Sequence, residues 1–241
     1  MPRKTNSISN TVEQVGRVLA ILVSMHFSGL AYAQDTLHSA TGTNPVATIL
    51  LPESEEIRLA LNAGPEQVRA GASVYVFGKA GYRLARAGTN GFTCLVNRDG
   101  NQSGDHDLKP TCWDSEGTRT LVPVMLRVGE LLAKSSPAEQ IRRDIDAGFS
   151  TGRFTSPKKT GIAYMLAGDI PYDPETKRIG KPIFPPHFML YAPGVTNTDI
   201  GTGGAPGLSD PQLPAVYSGY SGGTRTAYII IMATPHMVMT H

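Results

Sequence analysis

Hydrophobic positions along this chain fall into short runs of two periods, separated by Gly, Pro and Asp. Between Glu53 and Ala63, the residues Ile57, Leu59, Ala60 and Leu61 recur among charges and predict a short helix that stops near Gly64 and Pro65. Glu66 to Arg69 adds one more turn. Ala72 to Phe77 concentrates Val74, Tyr75, Val76 and Phe77, which predicts a strand. Gly78 to Gly81 supplies a turn, and Tyr82 to Arg86 the returning strand. Phe92 to Val96 predicts a third strand, so the three read as an antiparallel meander. A polar loop then spans Asn97 to Lys109, ahead of Cys112 and Trp113.

The period lengthens after that point. Pro123 opens a helix to about Ala133, with Val124, Val128, Leu131 and Leu132 on one face. Ser136, Pro137 and Glu139 read as a capping Ser, a first-turn Pro and an early acid for a second helix. Ile141 and Ile145 form its apolar pair, and Gly148 its stop. Strands return at Ile162 to Ala167, Phe188 to Tyr191, Ala215 to Ser218 and Ala227 to Ala233, with Tyr172 to Gly180 as a polar hairpin tip. A loop rich in Gly, Pro and Asp lies between Pro193 and Pro214. Strands, then helices, then strands predict one α+β domain over residues 51–241: a mainly antiparallel sheet with two or three helices packed on one face.

The N-terminus changes the picture. Arg3, Lys4 and Arg17 precede an apolar run from Val18 to Leu30, and Ala31-Tyr32-Ala33 offers a small-residue cleavage site. Residues 1–33 therefore read as a signal peptide and 34–50 as a flexible lead-in. The stretch from Val18 to Ala33 is shorter than the roughly 20 apolar residues of a membrane span. No stable span is expected after cleavage, and the protein is expected in the periplasm or secreted. The whole chain carries a net charge of +2, but the signal holds three Lys/Arg and one Asp/Glu, so the remainder is neutral. That balance argues against a nucleic-acid partner, which would call for a clustered basic surface.

Export also decides how the two cysteines read. Cys94 and Cys112 are the only pair, and outside the cytoplasm they predict one structural disulfide. Redox-active pairs favour a C-x-x-C spacing, which these lack.

Three stretches, Gly88–Val96, Gly161–Ala167 and Pro185–Asn197, resemble those of exported bacterial proteins of uncharacterised activity. The resemblance covers about half of the chain beyond the signal. It implies a bacterial exported protein and carries no activity.

Four places offer chemistry. In the loop Asp99 to Asp107, oxygen side chains alternate at Asp99, Asn101, Ser103, Asp105 and Asp107, with Gly104 where a calcium loop turns sharply. The twelfth position is Pro110 rather than the bidentate Glu of that pattern. Calcium is the cofactor this loop suggests. Gly219 to Gly223 places Ser221 in a G-x-S-x-G match, the signature of a serine nucleophile on a strand-to-helix turn. The next residues, however, form the strand-like run Thr226 to Ile231, and no acid comes after Ser221. His187 precedes a strand and lies near the long loop with Asp199, where a His beside an acid can serve as a base or a ligand. Tyr164, Tyr191, Tyr217 and Tyr220 are candidates to line a pocket near it. The tail offers Met232, His236, Met237, Met239 and His241, a thioether and imidazole set suited to Cu(I).

The reading that best fits these features is a small-ligand or envelope-associated binding module. A hydrolase using Ser221 or His187 and a calcium-stabilised structural protein are the alternatives. No substrate or protein partner is specified by the sequence.

Overall fold

The computed structural model describes residues 49–103, 107–173, 175–202, 213–218 and 221–233, without the side chains of Gln102 and Ser103. The expected signal 1–33, all but the last two residues of the expected lead-in, Asp105, Tyr220, His236, Met237, Met239 and His241 lie outside the described residues.

Helix α1 (Glu53–Asn62) starts after Pro52 with Glu53, Glu55 and Glu56 in its first turn, where the helix dipole favours acids. It stops before Gly64 and Pro65, and α2 (Glu66–Gly71) supplies the expected extra turn. The hairpin follows as β1 (Ser73–Gly78) and β2 (Gly81–Arg86), and then β3 (Thr93–Asn97) and β4 (Asp107–Trp113). A short helix α3 (Ser115–Thr120), which the apolar pattern does not announce, is capped by Asp114, whose carboxylate accepts from the Gly117 N–H. Next come α4 (Val122–Ala133) and α5 (Ala138–Ser150). Ser136 was the expected cap of α5, but Pro137 occupies that position and no side chain caps the helix. Gly148 does not stop α5 either; it leaves room for the Phe154 ring, which would lie 2.3 Å from a Cβ there.

The remaining strands are β5 (Ile162–Met165), β6 (Ile170–Asp173), β7 (Arg178–Ile179), β8 (His187–Tyr191), β9 (Ala215–Tyr217) and β10 (Tyr228–Met232). The main sheet runs β2-β1-β3-β4-β5-β8-β10-β9, and β6 pairs with the start of β4 and with β7. The sheet is mixed. All pairs among the described residues are antiparallel except β1 with β3, which run parallel. The expected three-strand meander is therefore corrected: β3 lies beside β1, on the side away from β2. The cause is the segment between β2 and β3, which wraps around the start of β1. Thr89 and Asn90 donate backbone N–H groups to the Gly71 carbonyl, and the Asn90 side chain donates to Val68 O. Gly88 passes so close that a Cβ would sit 2.2 Å from the Ser73 nitrogen, so no side chain fits there.

The helices do not share one face of the sheet, as the pattern had suggested. Cys94, Val96, Leu108 and Cys112 pack with Leu59 and Ala60 of α1, Ala63 just after it and Val68 of α2. Leu95 and Trp113, the alternate positions of the same strands, pack with α4 and α5 through residues such as Val124, Leu132, Ile141 and Ile145. Successive strand side chains point to opposite faces, so the two clusters lie on either side of the central strands. Cys94 and Cys112 are directly opposed in the β3–β4 ladder and are joined by the expected disulfide, fully buried in the α1 cluster. Among the described residues no helix is long and apolar enough to cross a membrane.

Candidate functional site

The α4 face of the sheet contains a cavity of about 220 Å³. Period-two alternation builds its floor. Lys109, Thr111 and Trp113 of β4, His187 and Met189 of β8, and Tyr228 and Ile230 of β10 all turn their side chains toward it. The register brings them side by side: Met165 of β5 stands opposite His187, and Met189 opposite Ile230. Met125 of α4 covers the space from above the sheet. Asp99 and Gly100, in the turn after β3, close one part of the wall, with Ser221 and Thr226 from the segment before β10. Asn97, Asp169, Phe184 and Tyr217 complete it.

Two polar groupings face this apolar space. In the first, the Ser221 hydroxyl donates to Asp99 Oδ1 at 2.5 Å, both residues being buried. That length is typical of a hydroxyl held by a carboxylate. Thr226 donates its hydroxyl to the Ser221 carbonyl at 2.7 Å, which fixes the turn. Beside them the Trp113 indole N–H donates to the Tyr228 hydroxyl at 3.1 Å. Burial pushes the Tyr228 hydroxyl well above its ordinary range, so it stays protonated.

The second grouping is Lys109, Asp169 and His187. Lys109 Nζ lies 3.4 Å from Asp169 Oδ2. His187 is 2% exposed, and its ring meets Phe184 edge-on at 4.9 Å between centroids. Its Nδ1 is 2.9 Å from the Pro185 carbonyl. A carbonyl only accepts, so Nδ1 carries the proton and Nε2 is left as the acceptor. Burial holds the imidazole below its ordinary pKa; the Pro185 carbonyl and Asp169 pull it back, and Lys109 opposes them. His187 is therefore neutral at neutral pH.

This shift has a measurable consequence. A buried neutral His binds its proton more readily in the unfolded chain. Stability is then fully present above the unfolded value of about 6.5 and is lost as pH falls below it toward the lower folded value. The expected result is a wild-type melting temperature that declines between about pH 7 and 5 more steeply than that of His187→Asn, where Asn keeps a donor for the Pro185 carbonyl. Parallel curves in that window would remove His187 from the pH response. The carboxylates with lowered pKa values titrate below this window and affect both proteins alike.

Several sequence candidates thus meet in one place. Asp99, Ser221, His187 and Tyr217 all line the cavity. Others do not. Asp199 accepts from the Thr196 N–H and hydroxyl in its own turn, and the acid that acts on His187 is Asp169. The Tyr191 hydroxyl donates to Asp114 Oδ1 or the Ile162 carbonyl, and the Tyr164 ring packs near Phe92 in the α1 cluster. Among the candidate calcium ligands, Asp99 faces the cavity, Asn101 is buried and Asp107 begins β4, paired with Pro171. No three His, Cys, Asp or Glu side chains gather as a metal-holding group among the described residues. Met232, from the tail set, ends β10 and packs partly buried against the α4 cluster.

Sequence reading missed Lys109, Trp113, Asp169 and Phe184. The alternation of Lys109, Thr111 and Trp113 against Leu108 and Cys112 was an available signal for the first two. Nothing local marks Asp169 or Phe184, which meet through an isolated backbone bridge. In comparisons with known proteins, the chain matches no family model, no curated protein and no solved structure.

Proposed function

We propose that this chain is an exported binding module that holds a small, mainly apolar molecule in the cavity over β4, β8 and β10. The observation that carries the reading is convergence: six strands, α4 and the segments between them bring apolar side chains and a few buried polar groups onto one space. Pockets that bind small molecules have this composition, an apolar lining with few, well-placed polar atoms. The size fits a compact ligand, since an apolar cavity of about 150 Å³ takes up benzene. The buried Cys94–Cys112 bridge agrees with an oxidising compartment and supports export to the periplasm or beyond.

The test is calorimetric titration with toluene as the probe. Binding is expected in the wild type and absent in Met189→Trp, whose larger ring fills the space next to Ile230. Saturation should raise the wild-type stability by about 2.7 kcal/mol at a hundredfold excess over Kd. Equal binding by both proteins would place the site elsewhere.

A serine hydrolase is the second reading, favoured by one observation: Ser221 Oγ is held by Asp99 inside the same cavity. The hydroxyl's acceptor is a carboxylate, not His187. Labelling by a fluorophosphonate, lost in Ser221→Ala, would turn the assignment from binding to catalysis.

A further inference from the structure

The second polar grouping says what kind of molecule the cavity takes; the inference rests on the reading that the cavity binds a ligand. Two acceptors there have no donor among the described residues. Asp169 Oδ1 is buried without a hydrogen-bond partner. His187 forms a hydrogen bond through Nδ1, and Nε2 forms none. Leaving the buried Asp169 Oδ1 unmatched costs about 1–3 kcal/mol, so the site favours a molecule that brings a donor.

The sign of that donor is set by its neighbours. A cation would meet the Lys109 ammonium, which already lies 3.4 Å from Asp169 Oδ2. An anion would meet Asp169 itself, and Asp99 in the same wall. Each charge is thus opposed by one already present, and a neutral O–H or N–H avoids both.

The body of the ligand is set by the walls. Trp113, Phe184, Tyr217 and Tyr228 present rings, and Met125 and Met189 thioethers. Rings pack edge-on or offset against other rings, and thioether sulfur packs well at a ring edge. A space of about 220 Å³ exceeds what benzene alone requires, which leaves room for a single ring with a small substituent. We propose that the cavity recognises a neutral phenol-type molecule, whose hydroxyl donates to His187 Nε2 or Asp169 Oδ1 while its ring lies among the aromatic and Met side chains.

Four one-ring probes test this on the full wild-type chain by calorimetry at pH 7.5: phenol, toluene, benzylammonium and benzoate. Phenol is expected to bind about tenfold more tightly than toluene, the worth of one good hydrogen bond to buried acceptors, although toluene is the more apolar. Benzylammonium and benzoate are both expected to bind more weakly than phenol. In His187→Leu the preference of phenol over toluene should shrink, and retained toluene binding shows that the variant folds. Toluene binding as well as phenol, or better, in the wild type would overturn the donor inference and leave the binding cavity standing. Tightest binding by benzylammonium or benzoate would overturn the neutral class. Failure of all four would overturn the cavity reading itself.

Discussion

Glu56→Ala is expected to destabilise the domain by about 3–5 kcal/mol, because it leaves a buried guanidinium without its counter-charge. Glu56 and Arg98 are each no more than 1% exposed and form two parallel bonds, Nη1 to Oε1 at 2.6 Å and Nη2 to Oε2 at 2.7 Å. The remaining polar atoms of the pair are matched as well. Arg98 donates to the Ile49 and Val96 carbonyls, and Glu56 accepts from the Phe77 N–H. The guanidinium lies over the Phe77 ring, 4.7 Å from its centroid. Burial works against the charge of Arg98, and Glu56 outweighs it, so the guanidinium stays ionised. The pair ties α1 to β1 and to the end of β3, one residue before the cavity-lining Asp99. Equilibrium urea unfolding reads the loss. A double variant, Glu56→Leu with Arg98→Met, should recover much of it, since removing both charges leaves no orphan. A single variant as stable as wild type would mean that water reaches Arg98.

Removal of the disulfide is the second large effect. Cys94→Ala with Cys112→Ala frees a loop with a sequence separation of 18. Chain entropy alone assigns such a loop about 3 kcal/mol. In a domain of this size that corresponds to a melting temperature lower by roughly 6–12 °C. The effect should act on stability more than on the cavity, because Cys94 and Cys112 face the α1 cluster while Trp113 faces the other side. Toluene binding by the double variant is therefore expected to persist at temperatures where it remains folded. Loss of binding with full retention of fold would mean that the two faces are coupled through β4.

Local patterning made most elements legible. The 3.6-residue period placed α4 within a residue of its observed span, and β-branched and aromatic runs placed β1, β3, β8 and β10. Connectivity was less legible. The wrap around β1 that makes β3 parallel depends on hydrogen bonds to Gly71 and on the close approach of Gly88, and neither leaves a periodic trace. The first part of β4 has a loop-like pattern down to Lys109, because Asp107, Lys109 and Pro110 are poor strand formers. Pro110 is tolerated because it falls between the β6 pairing at Leu108 and the β5 pairing at Cys112, where no second strand flanks it.

The site was legible as scattered residues rather than as a site. Asp99, Ser221 and His187 each stood out for a motif, a calcium loop, a nucleophile turn and a lone imidazole. Those motifs concealed what joins them. Asp99 and Ser221 are 122 positions apart in sequence and share one short hydrogen bond. Asp169 and Lys109 become partners only through the fold. A long-range pairing of this kind arises from sheet order, which local periodicity does not encode.

The space between α4 and the sheet is an apolar-walled cavity, and the proposed function requires that it admit a guest. Xenon reports on that entry, because an apolar cavity binds xenon without any specific polar contact. In a crystal of the protein held under xenon, the expected result is a xenon atom among Trp113, Met189 and Tyr228, with these side chains unmoved. The same crystal showing no xenon there, with Met125 or Phe184 filling the space, would contradict the binding site.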